Sequence, residues 1–170
     1  MEVDRLVDQL ERNASAFSAL VSGLPLEQTS WKPGADKWSV LEVICHLLDE
    51  EREDFRARLE STLRDPEKLW PAIDPPGWVV EREYAGRDLE ETLSAFLDER
   101  RRSVSWLRAL EQPDWGASYE HPVAGTLRTG DLVASWLAHD FLHLRQLARL
   151  HWQYHSVHAG PYKTSYAGEW

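Results

Sequence analysis

The sequence predicts an all-α protein, a four-helix bundle. Four stretches repeat apolar residues with a 3.6-residue rhythm, no stretch carries a convincing strand pattern, and irregular connections rich in proline, glycine and tryptophan separate them. With 170 residues, 42% of them hydrophobic, the chain suits one domain over residues 1–170 with a single continuous core.

The first helix spans roughly 2–22. Val3, Leu6, Val7, Leu10, Phe17, Leu20 and Val21 mark its buried stripe, and Gly23 and Pro25 stop it. A connection over 24–38 follows. The second helix, roughly 39–64, has the sharpest start signal. Ser39-Val40-Leu41-Glu42 fits a capping box, with Trp38 and Val43 as a hydrophobic staple. The helix should end before Asp65-Pro66. Residues 65–87 hold four prolines and two glycines. A connection this long crosses over or lines a site, and within it Trp78-Val79-Val80 reads as extended. Asp88 caps the third helix, roughly 88–111, which Pro113 closes. A further irregular connection occupies 113–128. Thr129 or Asp131 starts the fourth helix, roughly 130–155. The tail from Ser156 has no period, and Tyr162, Tyr166 and Trp170 are expected to pack back on the bundle or on a partner. The short first connection makes helices one and two antiparallel neighbours; the long second one allows helices two and three to run parallel.

The net charge of −10 argues against nucleic acid and against an anionic membrane surface as partners. The one basic cluster, Arg100-Arg101-Arg102 with Arg108, sits among glutamates and reads as a solvated face. A single cysteine forbids an internal disulfide and suits a cytoplasmic setting. Met1-Glu2-Val3-Asp4 is acidic, without a signal-peptide apolar run, and no segment approaches 18 uninterrupted apolar residues. The nine tryptophans read as core or loop packing.

Chemistry enters with His139 and His143. Four residues apart on a helix, they share one face, where two imidazoles reach a single metal ion. The bland alternative is a pair filling polar gaps in the core or touching solvent. A metal needs at least a third protein ligand. His46 is a candidate, although its wheel position beside Val43 and Glu50 lies at the edge of the apolar stripe and favours a surface or boundary place. His151 and His155 repeat the spacing at the helix end, where exposure and the helix dipole account for them. His121 falls in a loop. Cys45 points about 100° away from His46 and reads as buried. Asp49 and Glu50 follow His46 as a second shell, an extra ligand or a base, within a run to Asp54 that also reads as a solvated face.

Two blocks carry a family resemblance. Trp38-Ser39-Val40-Leu41-Glu42-Val43-Ile44-Cys45-His46-Leu47-Leu48-Asp49-Glu50-Glu51 is similar to a Trp-Ser-led helix bearing a first histidine. His139-Asp140-Phe141-Leu142-His143-Leu144-Arg145-Gln146-Leu147 is similar to a His-x-x-x-His block followed by Gln-Leu. In this order, with one helix between them, they resemble the DinB-like superfamily of YfiT-type metal-dependent hydrolases and thiol transferases. The resemblance implies up-down-down-up connectivity and a divalent metal held by His46, His139 and His143. It also implies, for several members, a homodimer and a low-molecular-weight thiol as co-substrate.

Three neutral imidazoles suit zinc or nickel, and three protein ligands leave positions open for water or substrate. Such a metal lowers the pKa of bound water toward ~7 or holds a thiol as thiolate. The leading expectation is a metal-dependent transferase joining a small-molecule thiol to an electrophile, with residues around Trp70 to Tyr84 shaping the electrophile pocket. A metal-dependent hydrolase would use Glu50 or Asp140 as base. A non-enzymatic metal-binding stress-response protein would keep the ligands without a substrate cavity, and a structural bundle would bind no metal. A zincin-type protease fits poorly, because His-Asp-x-x-His places a short aspartate where that mechanism uses glutamate.

Overall fold

A computed structural model of the chain describes residues 2–168 and 170; Met1 of the acidic N-terminus and Glu169 of the tail lie outside them. The elements are α1 (Glu2–Val21), α2 (Leu26–Ser30), α3 (Val40–Glu53), α4 (Phe55–Arg64), α5 (Pro75–Glu81), a 3₁₀ turn (Tyr84–Gly86), α6 (Leu89–Ala109), strands β1 (Ser118–His121) and β2 (Gly125–Arg128), and α7 (Thr129–His158). The predicted helical bundle is what forms. α3 packs along α6, α1 lies against both α6 and α7, and α4 lies against α7. No helix among the described residues is long and apolar enough to cross a membrane.

The second helix is not one rod. It breaks at Asp54, whose φ of −110° and ψ of −92° leave the helical region. No glycine or proline marks the break. Asp54 is instead a weak helix former whose carboxylate pairs with Arg58 at 2.7 Å. The bend turns Phe55 inward to stack on Trp136, ring centroids 5.7 Å apart.

The expected extended stretch at Trp78-Val79-Val80 is helical. Pro75 occupies the first turn and the Asp74 side chain accepts from the Gly77 amide, so a proline start and an aspartate cap override two β-branched residues. The connection over 113–128 hides a hairpin, with Tyr119 opposite Leu127 and Gly125 at a φ of +73° closing the turn. Its four-residue strands are too short to show alternation. Of the tail residues expected to pack on the bundle or on a partner, Tyr162 and Tyr166 are exposed and do not pack on the bundle, and Trp170 lies 6.1 Å from the Trp152 ring of α7.

The interior holds two apolar clusters. One gathers Phe17, Ile44, Leu48, Phe96 and Leu147; the other gathers Leu10, Leu59, Val104 and Trp136. On each long helix a buried polar residue falls between members of the two: Asn13, Glu51, Arg100 and Asp140. These four side chains meet. Arg100 donates to Asp140 at 2.6 and 2.8 Å and to Glu51 at 2.9 Å, and Asn13 donates to Asp140 at 3.1 Å. The solvated face expected at Arg100 is therefore wrong for that residue, which is 1% exposed, though right for Arg101 and Arg102. The run from Asp49 to Asp54 corrects likewise. Asp49, Glu50, Glu51 and Asp54 are buried; Arg82 of the crossover pairs with Asp49, Arg100 of α6 with Glu51 and Arg58 of α4 with Asp54.

Candidate metal centre

The capping box forms as the sequence predicts. The Glu42 amide donates to Ser39 Oγ at 3.3 Å and the Ser39 amide donates to Glu42 Oε2 at 2.8 Å, with Lys32 donating to the other oxygen at 2.6 Å. This fixes where α3 begins, and so where His46 falls two turns later. Trp38, just before the cap, lays its ring 4.8 Å from the His46 ring. His46 points inward and is 5% exposed, against its boundary place on the wheel. Trp38 and α7 cover the stripe's edge, which a single-helix projection does not see.

Across from it, α7 presents His139 and His143 on one face. The His46 and His139 Nε2 atoms stand 3.3 Å apart, and those of His143 and His139 3.1 Å apart. All three rings offer a ligand atom within 4.8 Å of the others, so the cluster could hold a metal ion. Nitrogens bound tetrahedrally at a zinc-like ~2.0–2.1 Å lie roughly 3.3 Å apart, so the spacing fits the group. His139 and His143 are only partly buried, which leaves one side of the cluster in reach of solvent.

Protonation fits too. Burial, with the neighbouring His143 and His139, pushes His46 down to about 2. Burial, then His143 and Arg100, pushes His139 down to about 3. His143 is lowered by burial, opposed by its bond to Gln146. All three are neutral at pH 7 with lone pairs to offer. His143 Nδ1 lies 2.8 Å from Gln146 Oε1, which can only accept. The proton therefore sits on Nδ1, and Nε2 is free as a ligand. Among the described residues, His46 Nδ1 is buried without a hydrogen-bond partner; Glu50 Oε1 lies 3.9 Å from it. Burial and the adjoining Asp54 raise Glu50 to about 8.

The other candidates fall elsewhere. Asp140, weighed as a base, is fully buried in the Arg100 ion pairs. His151 Nδ1 meets the Gln28 amide, His155 is exposed, and His121 Nδ1 accepts the Val123 and Ala124 amides in the hairpin turn. Cys45 is buried near the Tyr84 carbonyl, its thiol pushed up to about 12. Trp70 stacks on Tyr119, and Tyr84 donates to Asp49 at 2.6 Å. The cavity beside the histidines is lined by residues 33–38 and α7, not by the 70–84 segment. Two residues at the site were given no role in the sequence reading: Gln146, quoted there only as part of a motif, which orients His143, and Phe55, whose ring lies 5.2 Å from His139. The signal for Gln146 was its place three residues after His143, within reach on one helical face.

Fold and site together define a class: helical bundles whose interior presents a three-histidine cluster able to hold a metal ion. The chain belongs to the DinB superfamily, which matches it over residues 9–147. It is 25% identical over 150 residues to an Oceanobacillus iheyensis protein named "Putative metal-dependent hydrolase", a match covering 87% of this chain and 85% of that one. YfiT from Bacillus subtilis, described as a probable metal-dependent hydrolase with an unusual four-helix bundle topology, shares its fold. The TM-score is 0.79 at 18% identity, over 93% of this chain and 87% of that one.

Proposed function

We propose that the chain is a metal-dependent transferase, in which His46, His139 and His143 hold a divalent ion, zinc or nickel, and a low-molecular-weight thiol attacks a small electrophile. The observation that carries the reading is the meeting of three neutral Nε2 atoms at a point that solvent reaches on one side. The names of the relatives support metal dependence.

A bound divalent ion supplies a Lewis acid that favours the thiolate of a coordinated thiol near neutral pH. The chain's own residues do the rest. Gln146 holds the His143 proton on Nδ1, and Glu50 stands on the Nδ1 side of His46, 3.9 Å from that nitrogen. A divalent ion held by the three histidines would favour the Glu50 carboxylate, offsetting the burial that raises it. In the reaction, sulfur forms the new bond to carbon, the leaving group departs with its electron pair, and the thiol proton passes to solvent. Water is a far weaker acid than a thiol, so hydrolysis also needs a base. Of the two carboxylates weighed for that role, Asp140 is bound to Arg100, and Glu50 lies beside Nδ1, away from the converging Nε2 atoms.

Hydrolysis is the second reading. It is favoured by the raised Glu50, a carboxyl poised to exchange a proton near neutral pH, and by the relatives' names.

Elemental analysis of untagged protein is the first test. Near-stoichiometric metal is expected in the wild type, with loss in His46→Ala, His139→Ala and His143→Ala. Metal retained without any one of them breaks the three-ligand assignment. Thiol consumption with a chlorinated aromatic electrophile, set against ester cleavage, then separates the reactions. In metal-saturated protein, Glu50→Gln is expected to leave thiol transfer within about threefold while weakening metal binding about tenfold. A loss of about 10²-fold or more in ester cleavage would make Glu50 the acid–base group of a hydrolase.

A further inference from the structure

α7 is apolar on two sides. Its inner side joins the core and carries the histidine cluster, with α1, α3, α4 and β2 packed around it. Its outer side is uncovered among the described residues, yet it differs from the other solvent faces. The exposed sides of α1 and α6 carry Asp8, Glu11 and Arg12, and Glu91, Arg101 and Arg108. The outer side of α7 instead carries Ala134, Ala138, Phe141, Ala148 and Trp152, with Phe141 49% and Trp152 38% exposed. From Phe141 to Gly168 the sequence has no acidic residue, in a chain that holds 29. A helix apolar on both sides needs cover on both.

The outer residues recur alternately three and four apart from Asp131 to His155, over roughly 36 Å of helix. That 3.5-residue repeat is the seam by which one helix packs along another. The seam is its own complement when a second copy runs antiparallel, about a two-fold axis level with residue 143. Asp131 then meets His155 of the other copy, Ala134 meets Trp152, Ala138 meets Ala148, and Phe141 meets Arg145, each pair occurring twice. The indole fills the space the small Ala134 leaves, and the alanine layers let the helix axes close to roughly 8 Å. Arg145, which has no ion pair or hydrogen bond among the described residues, lays its guanidinium on a phenyl face. The imidazole bonds a carboxylate that Arg128 already holds from its other side at 2.9 Å. A parallel pairing fails, since it sets Arg145 against Arg145 and Asp131 against Asp131. His139 and His143 project from the opposite side of α7, so the antiparallel pair leaves the cluster open.

We infer that the outer seam of α7 is an isologous interface, at which two copies of this chain pair α7 against α7, antiparallel, in the register given by Ala138 opposite Ala148. The inference stands on the helix face alone and does not depend on the chemistry at the histidines.

Sedimentation velocity of the full-length chain is the test. The wild type is expected to form a dimer with a dissociation constant of about 10 μM or tighter, as suits an interface at the small end of the range. Ala138→Glu and Ala148→Lys each bury an unpaired charge in the alanine layer and should weaken that dimer about tenfold or more. Neither side chain is buried in the single chain, so the melting temperature of dilute protein and the metal content should stay at wild-type values. Both changes in one chain set the new carboxylate against the new ammonium of the other copy, twice, and should restore the dimer. Within one helix the two positions stand roughly 15 Å apart and do not meet. A wild type still monomeric at about 100 μM, tenfold above the expected constant, overturns the interface. So does a dimer that survives both single changes. Single changes that dissociate the dimer with no recovery in the double variant overturn the antiparallel register.

Discussion

The three site histidines are held neutral by burial, and this couples the fold to pH. In the unfolded chain each takes its ordinary value of 6.5, whereas His139 sits at about 3 and His46 at about 2 in the fold. Below 6.5 the unfolded chain therefore binds protons that the fold refuses, and stability is lost as pH falls through that window. Glu50 acts in the opposite sense. Its ordinary value is 4.5 and its folded value about 8, so between them the fold keeps a proton that the unfolded chain releases. From 4.5 to 6.5 the histidines outnumber it; from 6.5 to 8 it stands alone. The melting temperature of chelator-treated protein is expected to rise to a maximum near pH 6.5 and to decline toward pH 8, and Glu50→Gln should remove the decline. A flat profile from 4.5 to 6.5 would mean that the imidazoles accept protons inside the fold. Metal should lift the acid limb, since it competes with protons for the same nitrogens. At this scale the sequence showed the His139–His143 pair, because i,i+4 spacing is a local fact. Helical periodicity put His46 at the boundary while the family resemblance named it a ligand, because whether the edge of an apolar stripe is covered depends on a neighbour that periodicity does not describe.

At the scale of elements, α3 carries the site at its middle, with His46, and the crossover on its flank. Tyr84 donates to Asp49 at 2.6 Å with both buried, and Arg82 reaches Asp49 at 3.0 Å and Glu53 at 2.6 Å. The long connection is thus pinned to the helix that bears His46. Tyr84→Phe removes one donor from a buried carboxylate and is expected to cost about 1–3 kcal/mol, read as a lower denaturant midpoint with faster proteolysis between residues 65 and 87. An unchanged midpoint would mean that Arg82 alone satisfies Asp49. Element starts with a side-chain cap were legible, Ser39 and Asp88 above all, because a cap is written in adjacent residues. The break at Asp54 and the helix at Pro75–Glu81 were not. The first depends on which partner a charged side chain finds, and in the second a cap and a proline outweighed local β preference.

Across the whole molecule, one buried arginine joins the four long helices. Arg100 on α6 binds Glu51 on α3, Asp140 on α7 and the Leu10 carbonyl on α1, while Trp136 also donates to Glu51. The layer lies between the two apolar clusters, and Asp140 sits between the two α7 histidines in sequence. It therefore sets the register that brings His46 opposite His139. Arg100→Met leaves two carboxylates buried and unpaired and is expected to destabilise the protein by about 3–5 kcal/mol. Adding Glu51→Gln and Asp140→Asn should recover part of that loss. Denaturant unfolding of the single and the triple variant checks both, and no recovery in the triple variant would mean that Arg100 acts by packing and not by charge.

The sequence by itself determined the helical class, the number of long helices and the face that pairs His139 with His143, since periodicity, caps and proline stops act over a few neighbouring residues. Tertiary structure alone decided that Arg100, Glu51 and Asp140 would be core, that His46 would turn inward, and that residues 33–38 would wall the cavity beside it. A charged residue shows its burial only through the partner that compensates it, and here each partner lies on another helix, 40 or more positions away in the chain.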